Sequence, residues 1–256
     1  ALHIVLGIGL CIIGEVKFVI LLSPIFLAWV WLSPSYVKDV SKVNLKTLLV
    51  IVAGMLLLIS LSIVILAYYY STAFGGDPSK SSLSIFIDSL SYIFDPNYIM
   101  STGELGRFTT FLFWLKNNDL WGLSGTLFGY GLNATNSGST VSPGFLNIIY
   151  NLILDSTSLS MLLWEVGAIG TLLFVSLFIY ILKVCQPKPL LRLEQLDQQD
   201  LQLLSFAPAF NAFAISCLIS LPYSQILMIT PMLQFLFYLS LGASLVIRRT
   251  VLRCVG

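Results

Sequence analysis

Long apolar runs alternate with short basic segments along this chain, and one long polar stretch divides them. Three runs, at residues 47–70, 158–182 and 224–247, reach the about 20 residues that a helix needs to cross a bilayer. A fourth, at 203–221, is of borderline length and carries Pro208. Residues 1–14 and 18–32 form two shorter runs around Glu15-Val16-Lys17. They predict either a tight helical pair or one broken helix with its charged joint at the membrane face. Ala1 opens inside an apolar run, so the expectation is that further spans precede it. The predicted organisation is N-terminal membrane helices over 1–70, an extracytoplasmic loop region over 71–157, and C-terminal membrane helices over 158–256.

The stretch 71–157 has its own punctuation. Gly75-Gly76-Asp77-Pro78-Ser79 carries turn chemistry. Residues 82–94 place Leu83, Ile85, Phe86, Leu90, Ile93 and Phe94 as an amphipathic helix lying on the membrane would. Residues 105–115 also read as helix, opening after Ser101-Thr102-Gly103-Glu104, where Ser101 and Glu104 fit a capping box. Gly122, Gly125, Gly129 and Gly131 then ask for turns. The expected fold class is all-α: a polytopic membrane helical bundle with a large extracytoplasmic loop containing short amphipathic helices.

Composition agrees with a membrane protein. The chain is 57% hydrophobic and 10% charged, where a soluble domain carries about 25% charged residues. Cys11, Cys185, Cys217 and Cys254 all lie outside the polar stretch and form no CxxC pair, which argues against a disulfide staple there and against a zinc or redox site. Nine of the 13 Lys and Arg residues fall in three short segments: Lys38, Lys42 and Lys46; Lys183, Lys188 and Arg192; Arg248, Arg249 and Arg253. The positive-inside rule puts these in the cytoplasm. The stretch 71–157 holds only Lys80, Arg107 and Lys116 and should face outward, as should the turn near Pro222. No nucleic acid partner is indicated; the lipid bilayer is.

Several residues could carry chemistry. Arg107 lies three positions after Glu104, so the two would share a helix face. The pair reads as a surface ion pair, as a grip on lipid phosphate, or as a guanidinium that binds a diphosphate through its planar fork. The turn at Gly129-Tyr130-Gly131 could offer backbone N–H groups to the same anion. Glu165 sits in the outer third of the predicted 158–182 span, a costly place for a carboxylate. The alternatives there are snorkelling or a hydrogen bond to another helix, and Gly167 and Gly170 would permit such close approach. Glu15 and Lys17 do not share a helix face and have either separate partners or a solvated turn. His3 is the only histidine. Asp155 and Asn147 read as caps of the helix that follows them, and Tyr68-Tyr69-Tyr70 as an interfacial aromatic belt.

The order of these elements resembles the O-antigen and exopolysaccharide polymerase/ligase superfamily. The residues carrying the likeness are Gly106-Arg107, then Trp114-Leu115-Lys116, then Leu127-Phe128-Gly129-Tyr130-Gly131, then Asn147 and Asn151, then Trp164-Glu165-Val166-Gly167-Ala168-Ile169-Gly170. Gly14-Glu15-Val16-Lys17-Phe18 is similar to a Gly-Glu-Thr-Lys element of exopolysaccharide polymerases of this type. Two positions depart from the pattern. Ser142-Pro143-Gly144 stands where ligases of the superfamily carry a histidine, which favours a polymerase. Asn118 stands eleven positions after Arg107, where some polymerases carry a glycine.

The resemblance implies a multi-pass enzyme of the bacterial inner membrane. It would be a glycosyltransferase-type polymerase that joins oligosaccharide repeat units carried on undecaprenyl diphosphate, by inverting transfer on the outer side. No cofactor and no metal are implied, because the lipid diphosphate is the leaving group. Arg107 would hold the donor diphosphate, and Glu165, Glu104 or Glu15 would take the acceptor proton. Glu15, Lys17, Gly129, Tyr130, Gly131 and Asn147 would line the substrate site. A chain-length regulator or another assembly protein would be the partner. The alternatives are a transporter or flippase of lipid-linked saccharides and a non-catalytic membrane subunit.

Overall fold

The computed structural model describes residues 45–73, 91–138, 142–186 and 198–255, with Ile25, Ala28, Val30 and Ser84 singly. The described residues are helical: α1 (Leu45–Ala73), α2 (Ser91–Phe94), α3 (Arg107–Asn117), α4 (Leu123–Phe128), α5 (Phe145–Tyr150), α6 (Ser158–Glu165), α7 (Gly167–Val184), α8 (Gln198–Ser205), α9 (Ala207–Ser220), α10 (Ile226–Ile229) and α11 (Pro231–Val255). Among them no strand forms; two isolated bridges join Ile99 to Leu105 and Glu104 to Ile153. Four helical stretches are long and apolar enough to cross a membrane: Lys46–Ile65, Gly167–Val184, Gln198–Ser220 and Pro231–Val251. The chain is a helical membrane protein on that ground.

The contacts divide into two units, Ala1–Ser89 with Pro187–Ala212 and Thr250–Gly256, and Leu90–Gln186 with Phe213–Arg249. In the first, α1 shows exposed Leu49, Val50, Leu56, Leu57 and Val64 as a lipid-facing helix does. α8 ends at Ser205 and α9 starts at Ala207. Pro208 explains this break, because it has no N–H and its ring excludes the helical carbonyl of Leu204.

In the second unit, the run 158–182 is not one helix. It breaks after Glu165, and Gly167 adopts φ +72°. The backbone of the Leu127–Gly131 turn crosses here: Tyr130 N donates to Trp164 O at 2.8 Å and Gly131 N to Glu165 O at 3.0 Å. These bonds satisfy two of the carbonyls that a helix end leaves unpaired. The crossing admits no side chain, since a Cβ on Gly129 would lie 2.4 Å from Glu165 O and one on Gly167 2.4 Å from Gly129 N. The close approach foreseen at Gly167 is to the C-terminal end of the short helix α4 and the glycine that follows it, within the polar stretch.

Other boundaries shift too. The run 224–247 divides into α10 and α11, and α11 begins at Pro231 and runs past Arg248 and Arg249. The helix expected at 105–115 spans Arg107–Asn117, and no capping box forms. Gly106 takes the N-cap position without a side-chain bond, while Met100 N donates to Glu104 O in a turn before the helix. Of the expected helix at 82–94, only Ser84 and α2 fall among the described residues.

Two apolar cores hold this unit. One surrounds Trp164, which is fully buried and lies 5.7 Å from the rings of Tyr130 and Tyr150 and 6.2 Å from Phe113. The other packs Phe178 of α7 against Phe237 of α11, centroids 5.0 Å apart, with Cys217 of α9 and Leu221 just after it. The start of α6 ties the two together, for Ser158 N and Leu159 N donate to Ser224 O and Leu221 O.

The Gly129–Gly167 crossing gives a graded prediction. Gly131→Ala, at φ +97° with open space around the new methyl, should cost about 1–3 kcal/mol for the backbone conformation alone. Gly167→Ala adds overlap with backbone atoms and should lower the melting temperature in detergent further. Equal melting temperatures for the two variants would refute the crossing.

Candidate functional site

Arg107 is the first residue of α3, and Glu104 lies in the turn that leads into it. The Arg107 guanidinium sits 3.4 Å from the Glu104 carboxylate, with the side chains 22% and 33% exposed respectively. The same Nη1 donates to the backbone carbonyl of Ser156. The ring of Tyr223, in the turn between α9 and α10, lies 6.0 Å from the guanidinium carbon. Arg107 is thus placed by three separate segments, at 104, 156 and 223. A partly exposed ion pair of this kind adds about 1 kcal/mol or less to stability. Its consequence is positional: a cation and a carboxylate stand side by side and remain reachable from solvent.

Glu165 stands elsewhere. It ends α6, whereas Ser156 precedes that helix, so about 12 Å of helix rise separates the two ends. Its Oε1 accepts from Thr135 Oγ1 at 2.9 Å and from Thr135 N at 3.4 Å. Glu165 thus lies at the joint between α6 and α7, two residues before the stretch Gly167–Val184 that is long and apolar enough to cross a membrane. Of the carboxylates singled out, Glu104 meets Arg107 and Glu165 does not.

The glycine-rich turn has other duties. The N–H groups of Gly129, Tyr130 and Gly131 donate to Gly125 O, Trp164 O and Glu165 O. An anion bound there would have to displace them. The Tyr130 hydroxyl donates to Asn118 O at 2.6 Å. Asn147 works as a staple: its Nδ2 donates to Thr135 O at 2.8 Å and its Oδ1 accepts from Leu154 N at 3.2 Å. Neither Asn147 nor Asp155 caps α6. Thr157 does, its side chain accepting from Ser160 N at 3.0 Å. Glu15, Lys17 and His3 lie outside the described residues. Among the described residues no three His, Cys, Asp or Glu side chains cluster as metal ligands.

Asp155, Ser156, Thr157 and Ser158 are all at most 3% exposed. Asp155 Oδ2 accepts from Ser137 Oγ at 2.6 Å and Ser137 N at 3.1 Å, while Oδ1 and Ser156 Oγ are buried without a hydrogen-bond partner. Burying such groups is costly. Four polar residues in a row directly before an apolar run were the sequence signal for this buried patch. Tyr223 left no comparable signal, because only the fold brings it beside α3.

Comparison of the chain with protein-family models, with curated proteins and with solved structures returns no match.

Burial raises the Tyr130 phenol above its ordinary value of 10.0, and Asp119 nearby adds to this. Tyr150 is raised by burial in the same way. Below pH 10 both folded and unfolded chains hold these protons, and the stabilisation is whole. As pH rises past 10 the unfolded chain ionises first, so stability falls until the folded phenols ionise too. Tyr130→Phe should lose about 1 kcal/mol at neutral pH with the bond to Asn118, yet decline less steeply above pH 10. Thermal unfolding across that range reads both effects, and an unchanged alkaline slope would count against a buried Tyr130.

Proposed function

We propose that this chain is a membrane glycan polymerase that joins oligosaccharide repeat units carried on undecaprenyl diphosphate. The reaction is an inverting, metal-independent glycosyl transfer on the outer side of the bacterial inner membrane. The observation that carries this reading is the Arg107–Glu104 pair, partly exposed and held where the starts of α3 and α6 meet the turn before α10. The order of sequence elements resembling the polymerase/ligase superfamily adds to it. So does the meeting of Ser158 and Leu159 with Leu221 and Ser224, since the distribution of basic residues leads us to expect both segments on the outward side.

In this mechanism Arg107 receives the donor's diphosphate, for which its fork-shaped donor set is suited. Glu104, beside it, accepts the proton of the acceptor hydroxyl. The hydroxyl oxygen attacks the anomeric carbon from the face opposite the phosphate, a new glycosidic C–O bond forms, and the bond to the diphosphate breaks. The leaving diphosphate keeps the electron pair next to the Arg107 cation. Glu104 is preferred over Glu165 as the base because it adjoins Arg107, whereas Glu165 is engaged by Thr135 at the far end of α6.

Reconstitution in vesicles with lipid-linked repeat units tests this. Arg107→Ala should abolish polymer while the protein still inserts and folds. Arg107→Lys should also fail, because the bidentate contact is lost. Glu104→Gln should slow chain growth about 100-fold or more, the usual scale of a lost general base. Normal chain length in Arg107→Ala would overturn the assignment. Translocation of the lipid-linked units without polymer would assign transport, and neither activity a non-catalytic subunit.

A further inference from the structure

Between Asp119 and Asp155 the chain has no charged side chain and no histidine. This segment contains α4 and α5, both far too short to cross a bilayer. Its surface is nonetheless apolar: Trp121, Leu123, Phe128, Leu132, Ile148 and Ile149 are each more than half exposed, Leu132 reaching 81%. Large apolar surfaces of this kind mark contact with a membrane or another protein.

Two independent observations choose lipid. The first is the way the segment treats its backbone. Irregular chain that faces water needs few internal bonds, but chain at membrane depth must satisfy its polar groups within the protein. Here the N–H groups of Gly122, Gly125, Thr126, Gly129, Tyr130 and Gly131 all donate to protein carbonyls, as do those of Ala134, Asn136, Gly144, Leu146, Asn147 and Leu152. The hydroxyls of Ser124, Thr126, Tyr130 and Tyr150 and the Asn147 amide donate to carbonyls in the same way.

The second is position. The α4 turn crosses the first residue of α7 at backbone contact, and α7 is a membrane-crossing helix whose Leu172 and Leu173 are 69% and 65% exposed. The apolar surface of the α4 region therefore lies beside the first turn of a helix that is long and apolar enough to cross a membrane. The charged residues Lys116, Asp119 and Asp155 bound the segment on either side, and Trp121 suits the headgroup boundary.

We propose that residues 120–138 and 142–154 belong to an insert embedded in one leaflet of the bilayer, with the exposed side chains of α4, α5 and the turn at Leu132 among lipid acyl chains. The stretch 71–157 is then not a wholly aqueous loop. Its later half dips into lipid beside α7, and this holds whether or not the polymerase assignment stands.

The test uses single cysteines at Leu123, Leu132 and Ile148 in the full chain carrying Cys11→Ser and Cys254→Ser, with Cys185 and Cys217 left buried. Exposed Asn97→Cys serves as the aqueous control, and the unsubstituted background as the blank. Each variant is labelled with an environment-sensitive fluorophore and placed in phosphatidylcholine vesicles, with acyl chains either plain or brominated. The expected result is blue-shifted emission and a loss of fluorescence in brominated vesicles at the three insert positions, with neither at Asn97→Cys. Leu132→Cys, at the most exposed site, guards against misfolding at the other two. Unquenched labels that a membrane-impermeant thiol reagent could have reached would overturn the proposal. So would labels shielded from water and bromine alike, the result expected of a second copy or another protein on this surface.

Discussion

Two glycines meet back to back where an apolar run would otherwise continue as one helix. Gly129 and Gly167 cross so closely that a single Cβ on either would strike backbone. The same contact lets Tyr130 and Gly131 donate to the last carbonyls of α6, groups that no further helical turn would satisfy. Everything nearby follows from that interruption. Trp164 is drawn into an apolar core with Trp114, Tyr130 and Leu146, Glu165 is left at a joint beside Thr135, and α7, long and apolar enough to cross a membrane, starts just past the break.

The opposite end of α6 obeys a polar constraint. Four consecutive buried polar residues need partners away from water. Ser137 bonds Asp155, Thr157 caps the helix, and Ser158 reaches Ser224. These bonds fasten the turn before α10 to the start of α6, and so bring Tyr223 near Arg107. The site is thus assembled from four places in the sequence by the packing of one eight-residue helix. The Arg107–Glu104 contact is too exposed to contribute much to folding, so what it offers is charge held in a fixed place.

Much of the architecture was legible because the signals were local. Helical membrane character follows from run length and scarcity of charge, and the break before α9 from Pro208. The neighbourhood of Glu104 and Arg107 follows from spacing, although the pair forms from a turn into a helix and not along one helix face. The helix break after Glu165 was not legible. Seen along the chain, Ser158 to Leu182 is a continuous apolar run, and only a crossing segment from Leu127–Gly131 divides it. The caps were missed for a similar reason: Asp155, Asn147 and Thr157 are all competent residues, and their roles depend on which loops lie opposite.

The sequence by itself determined that this chain is a membrane protein built of helices, and which residues carry charge near the ends of its apolar runs. Those properties depend on composition and on contacts within a few residues. Tertiary structure alone decided that the glycine-rich turn is a helix cap and that Arg107 keeps company with Ser156 and Tyr223. Each of these needs atoms from segments between about 30 and more than 100 positions apart, and no local pattern encodes which distant carbonyl or ring will be there to meet them.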